Sequence, residues 1–294
     1  MFKFCTFITT ILLLSQHSAI AQNSYYADKE NCKSRSGFEY GGIAGFYIPG
    51  NSSAQFYSGE PENVNNALYV MNNKYWYDEI YDLVGANDKI IIKEYPGKTK
   101  YNPAFSFGLF VKYNVDCHTG FYLQFHYAKL RVKDIITFEV DPPIDYLAEP
   151  DIRLYPVIGT EERNLVDLGF NYIIGDNPVS RFNIGGGINM NNTLVKESIL
   201  RIEDRSFNMV NVYSTGQIYI PGAALQSYET RQGGIGFGIF GTLGGRFEFS
   251  QAIAIEPGVT VYYKQIKLEG YEGFYPQFNF FVKLCFRDLT SFSQ

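Results

Sequence analysis

The sequence predicts an all-β protein: an eight-stranded antiparallel up-and-down transmembrane β-barrel with long extracellular loops. Three observations carry that prediction. Eight segments alternate large apolar residues with polar or small ones, the period-two pattern of a strand with one apolar face. The connections between them are short and long in strict alternation, as in barrels that span an outer membrane. The small positions include Gly108, Gly169, Gly185, Gly187, Gly236, Gly238 and Gly244, which suits the inward wall of a narrow barrel better than a face open to water.

Taken in order, residues 1–21 read as a secretory signal peptide. Lys3 supplies the positive end, Phe7 to Leu14 the short apolar stretch, and Ala19-Ile20-Ala21 the small-residue cleavage site. Residues 22–37 form an N-terminal segment, the barrel is expected over 38–287, and 288–294 trail as a tail. The first strand is expected at Phe38 to Ile48, before a long polar stretch to Asn102. The second is expected at Ala104 to Val115, where Phe105, Phe107, Leu109, Val111 and Tyr113 alternate with Ser106, Gly108, Phe110 and Lys112. A short turn, Asp116 to Gly120, leads to a third strand running from Phe121 to about Thr137. An acidic, proline-bearing loop follows, with seven acidic residues against Arg153 between Glu139 and Glu162. The fourth strand (about Asn164 to Ile174) and the fifth (about Arg181 to Val195) flank Gly175-Asp176-Asn177-Pro178, which has strong turn chemistry. After a loop to about Arg231 come the sixth strand, Gly233 to Phe249, and the seventh, Ala252 to Lys264. The eighth is expected at Gln277 to Arg287.

Composition agrees. The 294 residues include 24 Tyr and 25 Phe but one Trp, and 28 Gly, an enrichment that fits strands better than helices. The formal net charge is −5; loss of Lys3 with the signal makes it −6, which argues against nucleic acid as a partner. Aromatic residues recur near the short turns, at Phe38, Tyr113, Phe121, Tyr172, Phe182, Phe249 and Phe286, the placement of an interfacial girdle.

With the large apolar residues facing lipid, the alternate positions face the lumen. They carry Glu39, Lys112, Asp167, Arg246, Glu248, Glu256, Lys264, Lys283 and Arg287, expected to form a paired charge network because an unpaired charge in a filled lumen is costly. Bulky inward residues (Ile43, Tyr47, Phe110, Tyr122, Tyr262 and Phe281) face the glycine-bearing strands, so the lumen should be packed.

No constellation for catalysis is assembled. Gly236-Phe237-Gly238-Ile239-Phe240-Gly241 fits a dinucleotide-binding pattern, but it lies inside one strand with no helix after it. His126 points into the lumen and His118 sits in a turn, and no nucleophile–base pair surrounds either. No catalytic residue, cofactor or metal site is therefore expected. Cys32, Cys117 and Cys285 all map to the short-turn end, which leaves open a Cys32–Cys285 bridge, a Cys32–Cys117 bridge or three free thiols. In the first long loop, Tyr75, Trp76, Tyr77 and Tyr81 are candidates for a contact surface, or for folding down over the barrel mouth.

The layout resembles the PorT-like outer-membrane β-barrel proteins of the Bacteroidota-type envelope. The resemblance rests on the signal peptide, on Phe38-Glu39-Tyr40-Gly41-Gly42-Ile43-Ala44-Gly45, on Phe105 to Tyr113 after a long first loop, and on Ile255-Glu256-Pro257-Gly258-Val259-Thr260-Val261-Tyr262-Tyr263. It implies a non-enzymatic outer-membrane protein with a structural, adhesive or secretion-accessory role; the alternation of short and long connections puts both termini in the periplasm. Its partners would be outer-membrane lipid and lipopolysaccharide, with other envelope or secretion-complex proteins. A small-solute channel is the alternative. One departure is visible: the last strand ends near Phe286, with Phe292 beyond it as a second candidate for the terminal aromatic.

Overall fold

The structure is a computed structural model, and it describes residues 36–142, 149–175, 179–210, 232–250 and 252–287. Eight strands close a ring: β1 (Gly37–Ile48), β3 (Ala104–Asn114), β4 (Thr119–Val140), β5 (Asp151–Ile174), β6 (Ser180–Ile202), β8 (Gly233–Glu248), β9 (Ile253–Gln265) and β10 (Phe274–Arg287). Each pairs antiparallel with the next. The ring shuts where β1 meets β10, from Glu39 opposite Arg287 to Ile48 opposite Phe278. Closure removes every edge from the membrane-spanning wall, the condition a strand protein must meet in hydrocarbon. No helix among the described residues is long and apolar enough to cross a membrane, a fact that does not bear on a barrel.

The outward row is apolar over a continuous band. Leu109 on β3 is 69% exposed and Phe182 on β6 is 71% exposed, with Phe125, Ile184, Leu243 and Phe280 in the same band. Aromatic rings border the band at both ends. Phe38 and Tyr113 lie 5.0 Å apart near the short turns, while Phe107 with Tyr127 (5.2 Å) and Tyr263 with Phe274 (5.6 Å) lie toward the long loops. Exposed apolar surface of this extent is unstable in water and suited to lipid.

Three strands are longer than the sequence suggests. β4, β5 and β6 have 22, 24 and 23 residues and continue past the apolar band at the long-loop end. The acidic stretch expected as a loop is therefore largely strand: its residues from Asp151 onward belong to β5. Pro156 disguised this. It lies opposite Ile135 of β4, one residue beyond the last residue paired with β6, so its missing N–H falls at a free edge. Two short strands escaped prediction altogether. β2 (Ile90–Glu94) pairs with the end of β4, and β7 (Arg205–Asn208) folds back on the end of β6.

The first long connection is also structured. A 3-10 helix (Asn51–Tyr57) enters the barrel mouth. Helix α1 (Ala67–Met71) begins at Asn66, whose side chain accepts the backbone N–H of Tyr69 at 2.8 Å. Helix α2 (Tyr77–Val84) stops at Gly85, whose φ of 67° takes the left-handed turn that glycine tolerates. Ala67, Val70, Trp76, Ile80 and Val84 pack on Ile136, Phe138, Tyr155, Val157, Leu200, Ile202 and Phe207. The extended strands and two helices thus form a small cap with its own apolar core.

Residues 1–35 and 288–294 lie outside the described residues, and with them the expected signal peptide, Cys32, Phe292 and the tail.

Candidate functional site

The lumen is built by the inward pleat positions, and the structure divides it into three layers. In the layer nearest the short turns, Arg246 on β8 binds Glu256 on β9 (Nη1 to Oε1, 2.5 Å), Glu248 (Nε to Oε1, 3.0 Å) and Glu39 on β1. Arg287 donates to Glu39 at 3.0 Å, and Lys112 stands 3.4 Å from Glu39 and 3.7 Å from Glu256. Six of the nine expected lumen charges thus meet in one cluster. Arg181, absent from the expectation, joins them through Glu248. The pairing follows from register, since Glu39 lies directly opposite Arg287 and also opposite Lys112 across the two strands that flank β1.

The other three expected charges are placed differently. Asp167 forms a middle layer, accepting hydrogen bonds from Gln124 (2.7 Å), Asn189 (2.5 Å) and the Tyr262 hydroxyl (2.8 Å), with His126 Nε2 at 3.5 Å. Lys264 and Lys283 have no ion-pair partner within salt-bridge distance among the described residues, contrary to the expected pairing. Lys264 Nζ sits 4.3 Å from the ring centroid of Tyr262, and Lys283 Nζ sits 4.7 Å from that of Tyr122. In a lumen this rich in rings, the negative faces of aromatics take the place of carboxylates.

The third layer closes the mouth, and sequence reasoning missed it. Arg163 and Glu161 are wholly buried and paired at 2.5 Å. The hydroxyls of Tyr57 and Tyr101 donate to Glu161 at 2.8 and 3.0 Å. Arg163 donates to Tyr47 (3.2 Å), Gln277 (3.1 Å) and Ser53 (3.3 Å). Ser53 and Tyr57 belong to the 3-10 helix, so this network locks the first long connection into the barrel. Gly159 makes room for it: a Cβ there would stand 2.2 Å from the Tyr57 ring. Gly169 plays the same part lower down, against Phe240 and Tyr122 at 2.8 and 2.9 Å. The available signal was phase: Arg163 and Glu161 continue the inward series of Leu165 and Asp167, but the acidic run read as a solvated loop.

Among the described residues, a gap lined by Phe110, Lys112, Tyr122, Asn171, Asn183 and Glu256 has room for roughly one water molecule. No group of three or more His, Cys, Asp or Glu side chains among the described residues is arranged to hold a metal ion.

Outside the barrel wall, two turns are tightened by carboxylates. Asp116 accepts the backbone N–H of Thr119 and His118, and these hold its carboxyl below the usual range. Asp141, at φ 44°, accepts the backbone N–H of Asn87, Asp88 and Lys89. Those bonds, with Asn87 foremost, likewise lower its pKa. The loop between α2 and β2 is thereby fastened to the end of β4.

The cysteines separate. Cys117 is disulfide-bonded. Cys285 is a free thiol buried against Ile43, Phe110, Ala254 and Phe281 at an inward pleat position, which removes the Cys32–Cys285 alternative. Trp76 is only 6% exposed and packs edge-on to Phe207 (5.6 Å) and Tyr69 (5.9 Å), so it is a core anchor of the cap and not a contact residue. Tyr75 and Tyr77 are exposed, and Tyr81 is half-buried and stacked on Tyr77 at 4.3 Å.

No protein-family model and no curated protein matches the sequence. Solved structures do resemble the fold. Neisserial surface protein A shares 7% identity over 85% of this chain and 96% of its own, with a TM-score of 0.42. The outer-membrane protein OprG from Pseudomonas aeruginosa shares 12% over 85% and 96%, with a TM-score of 0.37. Ail, the attachment invasion locus protein of Yersinia pestis, solved with the heparin analogue sucrose octasulfate, shares 8% over 85% and 97%, with a TM-score of 0.33. These likenesses concern the fold alone. The protein is an outer-membrane-type β-barrel by its closed ring and lipid-facing band.

Proposed function

We propose that this protein is a non-enzymatic, non-conducting outer-membrane anchor that presents its cap outside the cell, in a structural, adhesive or secretion-accessory role of the PorT-like kind. One observation carries the reading: the Arg163–Glu161 pair holds the 3-10 helix in the mouth through Tyr57 and Ser53, so the barrel is stoppered by its own chain. A stoppered eight-stranded barrel has little interior to offer a solute, whereas its cap offers a folded surface with Tyr75 and Tyr77 exposed. In this reading residues 1–21 are removed on export, the short turns and both termini are periplasmic, and the paired lumen charges are structural. A Cys32–Cys117 bridge would then tie the segment before β1 to the first short turn. The partners are outer-membrane lipid, including lipopolysaccharide, and other envelope proteins.

Two measurements test it together. Purified protein in a planar bilayer is expected to be silent, and recovery from cells in mild detergent is expected to bring envelope proteins with it. Reproducible single-channel steps would overturn the anchor reading in favour of a small-solute channel. A protein that always came out alone would leave a structural role and remove the accessory one.

A further inference from the structure

β4 carries its outward row past the lipid-facing band, and the chemistry of that row changes abruptly. Phe121, Leu123, Phe125 and Tyr127 come first, and Lys129, Arg131 and Lys133 follow, all three exposed. Ten residues separate Thr119 from Lys129. At about 3.4 Å per residue and a tilt of about 40°, Lys129 stands roughly 26 Å above the short-turn end, where a hydrocarbon band of about 25 Å ends. Tyr127, in ring contact with Phe107, marks the border one pleat below.

No carboxylate takes up these cations among the described residues. Glu162, directly opposite Lys129 on β5, pairs instead with Lys196 at 3.3 Å. Thr160 stands opposite Arg131 and Ile158 opposite Lys133. Glu197 accepts a hydrogen bond from Thr160, and Asp134 accepts its neighbour's backbone N–H. The outward rows of β1, β3, β9 and β10 end without such a run, in Phe46 and Ile48, Phe105, Tyr263 and Phe274; on β6 Lys196 and Arg201 are exposed beyond Met190, but Lys196 is paired with Glu162 and the acidic Glu197 stands between them. The positive row therefore belongs to one side of the barrel and one height.

We infer that Lys129, Arg131 and Lys133 form a binding site for the phosphate groups of the outer-leaflet glycolipid, lipopolysaccharide. Successive outward residues rise about 5 Å each, so the three cations reach through the headgroup layer while Tyr127 and Phe125 keep to the acyl chains. A guanidinium takes two phosphate oxygens at once, and a lysine offers a mobile point charge on either side of it. The inference rests on the orientation proposed above, with the cap outside the cell.

The test uses the full chain folded in zwitterionic micelles, as wild type and as Lys129→Gln/Arg131→Gln/Lys133→Gln, each checked for the heat-modifiable migration of a folded barrel. Diphosphorylated lipid A is titrated against both by thermophoresis, beside dephosphorylated lipid A, phosphatidylglycerol and inorganic phosphate. Wild type is expected to bind diphosphorylated lipid A on the order of a hundredfold more tightly than the variant, since each cation near an anionic headgroup layer contributes independently. Inorganic phosphate at millimolar concentration is expected not to compete. Equal affinity of the two proteins, or equal affinity of wild type for dephosphorylated lipid A, would overturn the site. Equal binding of phosphatidylglycerol would overturn its assignment to the glycolipid. Separately, Lys133→Cys is expected to react with a membrane-impermeant maleimide on intact cells. Its failure to react would overturn the orientation while the micelle titration still judged the cation row.

Discussion

The two halves of β4 obey opposite rules on one unbroken pleat. Over residues 121–127, Phe121, Leu123 and Phe125 face out and Gln124 and His126 face in. Over residues 129–136, Lys129, Arg131 and Lys133 face out and Leu130, Val132 and Ile136 face in. Odd and even positions up to Lys133 keep their sides; only the chemistry exchanges. β6 does the same with Ile188 and Met190 outward below and Leu200 and Ile202 inward above, after a bulge opposite Thr160 and Glu161 resets its phase. Polarity follows solvent: the lower half is bathed in hydrocarbon and must hide its polar groups inside, whereas the upper half meets water and builds an ordinary apolar core. One strand can serve both because side-chain direction is set by backbone pleat and not by hydrophobicity.

The largest effects should come from removing what joins the halves. Arg163→Met leaves Glu161 buried and unpaired and should cost about 3–5 kcal/mol. It should also free the 3-10 helix, so denaturant unfolding in lipid vesicles should shift and the bilayer trace should gain flickering openings. An unchanged midpoint would mean the network is not the lock described. Trp76→Ala should cost the cap about 3–5 kcal/mol while sparing the barrel. Limited proteolysis should cut the first long connection, yet the folded barrel band on a gel should persist; loss of that band would show that the halves fold as one unit.

The outward row of β4 offers a sharper contrast. Leu123→Arg, near mid-band, should cost about 2–4 kcal/mol in vesicle refolding. Arg131→Gln, four pleats higher on the same face, should stay within about 0.5 kcal/mol. Similar costs at the two positions would abolish the border drawn at Tyr127. The smallest effect is at Asp141. Its pKa is lowered in the folded state, so the stability it adds is present above the ordinary carboxylate value of about 3.9 and is lost as pH falls through the lower folded value. The amide resonances of Asn87, Asp88 and Lys89 should titrate together below about pH 4 and stop titrating in Asp141→Asn; a midpoint at or above 3.9 would refute the clamp.

The membrane half was legible because its information is local. Each alternating segment states its own phase, and eight such statements with alternating connection lengths leave few topologies besides a closed barrel. The cap was not legible for reasons particular to its residues. Pro156 and the run Glu161-Glu162 look like loop, yet the first sits at a free strand edge and Glu161 is spent on Arg163. In the sequence Trp76 fits a contact surface or a segment folded down over the mouth, and only the approach of Phe207 and Tyr69 makes it core. Charge alone assigns Lys264 and Lys283 to carboxylates, whereas in space their ammonium groups sit over rings and no carboxylate among the described residues comes within salt-bridge distance.

By itself, the sequence determined which face of each strand meets lipid, because a period of two is a property of neighbouring residues and survives any arrangement of the strands. How the mouth of the barrel is stoppered was decided only in three dimensions. Tyr57 finds Glu161 across 104 residues and Arg163 finds Gln277 across 114. Those meetings depend on ring closure, on the path of the first long connection and on the missing side chain of Gly159. No local pattern records them, because a stopper and the groove that receives it are complementary only after both have been built.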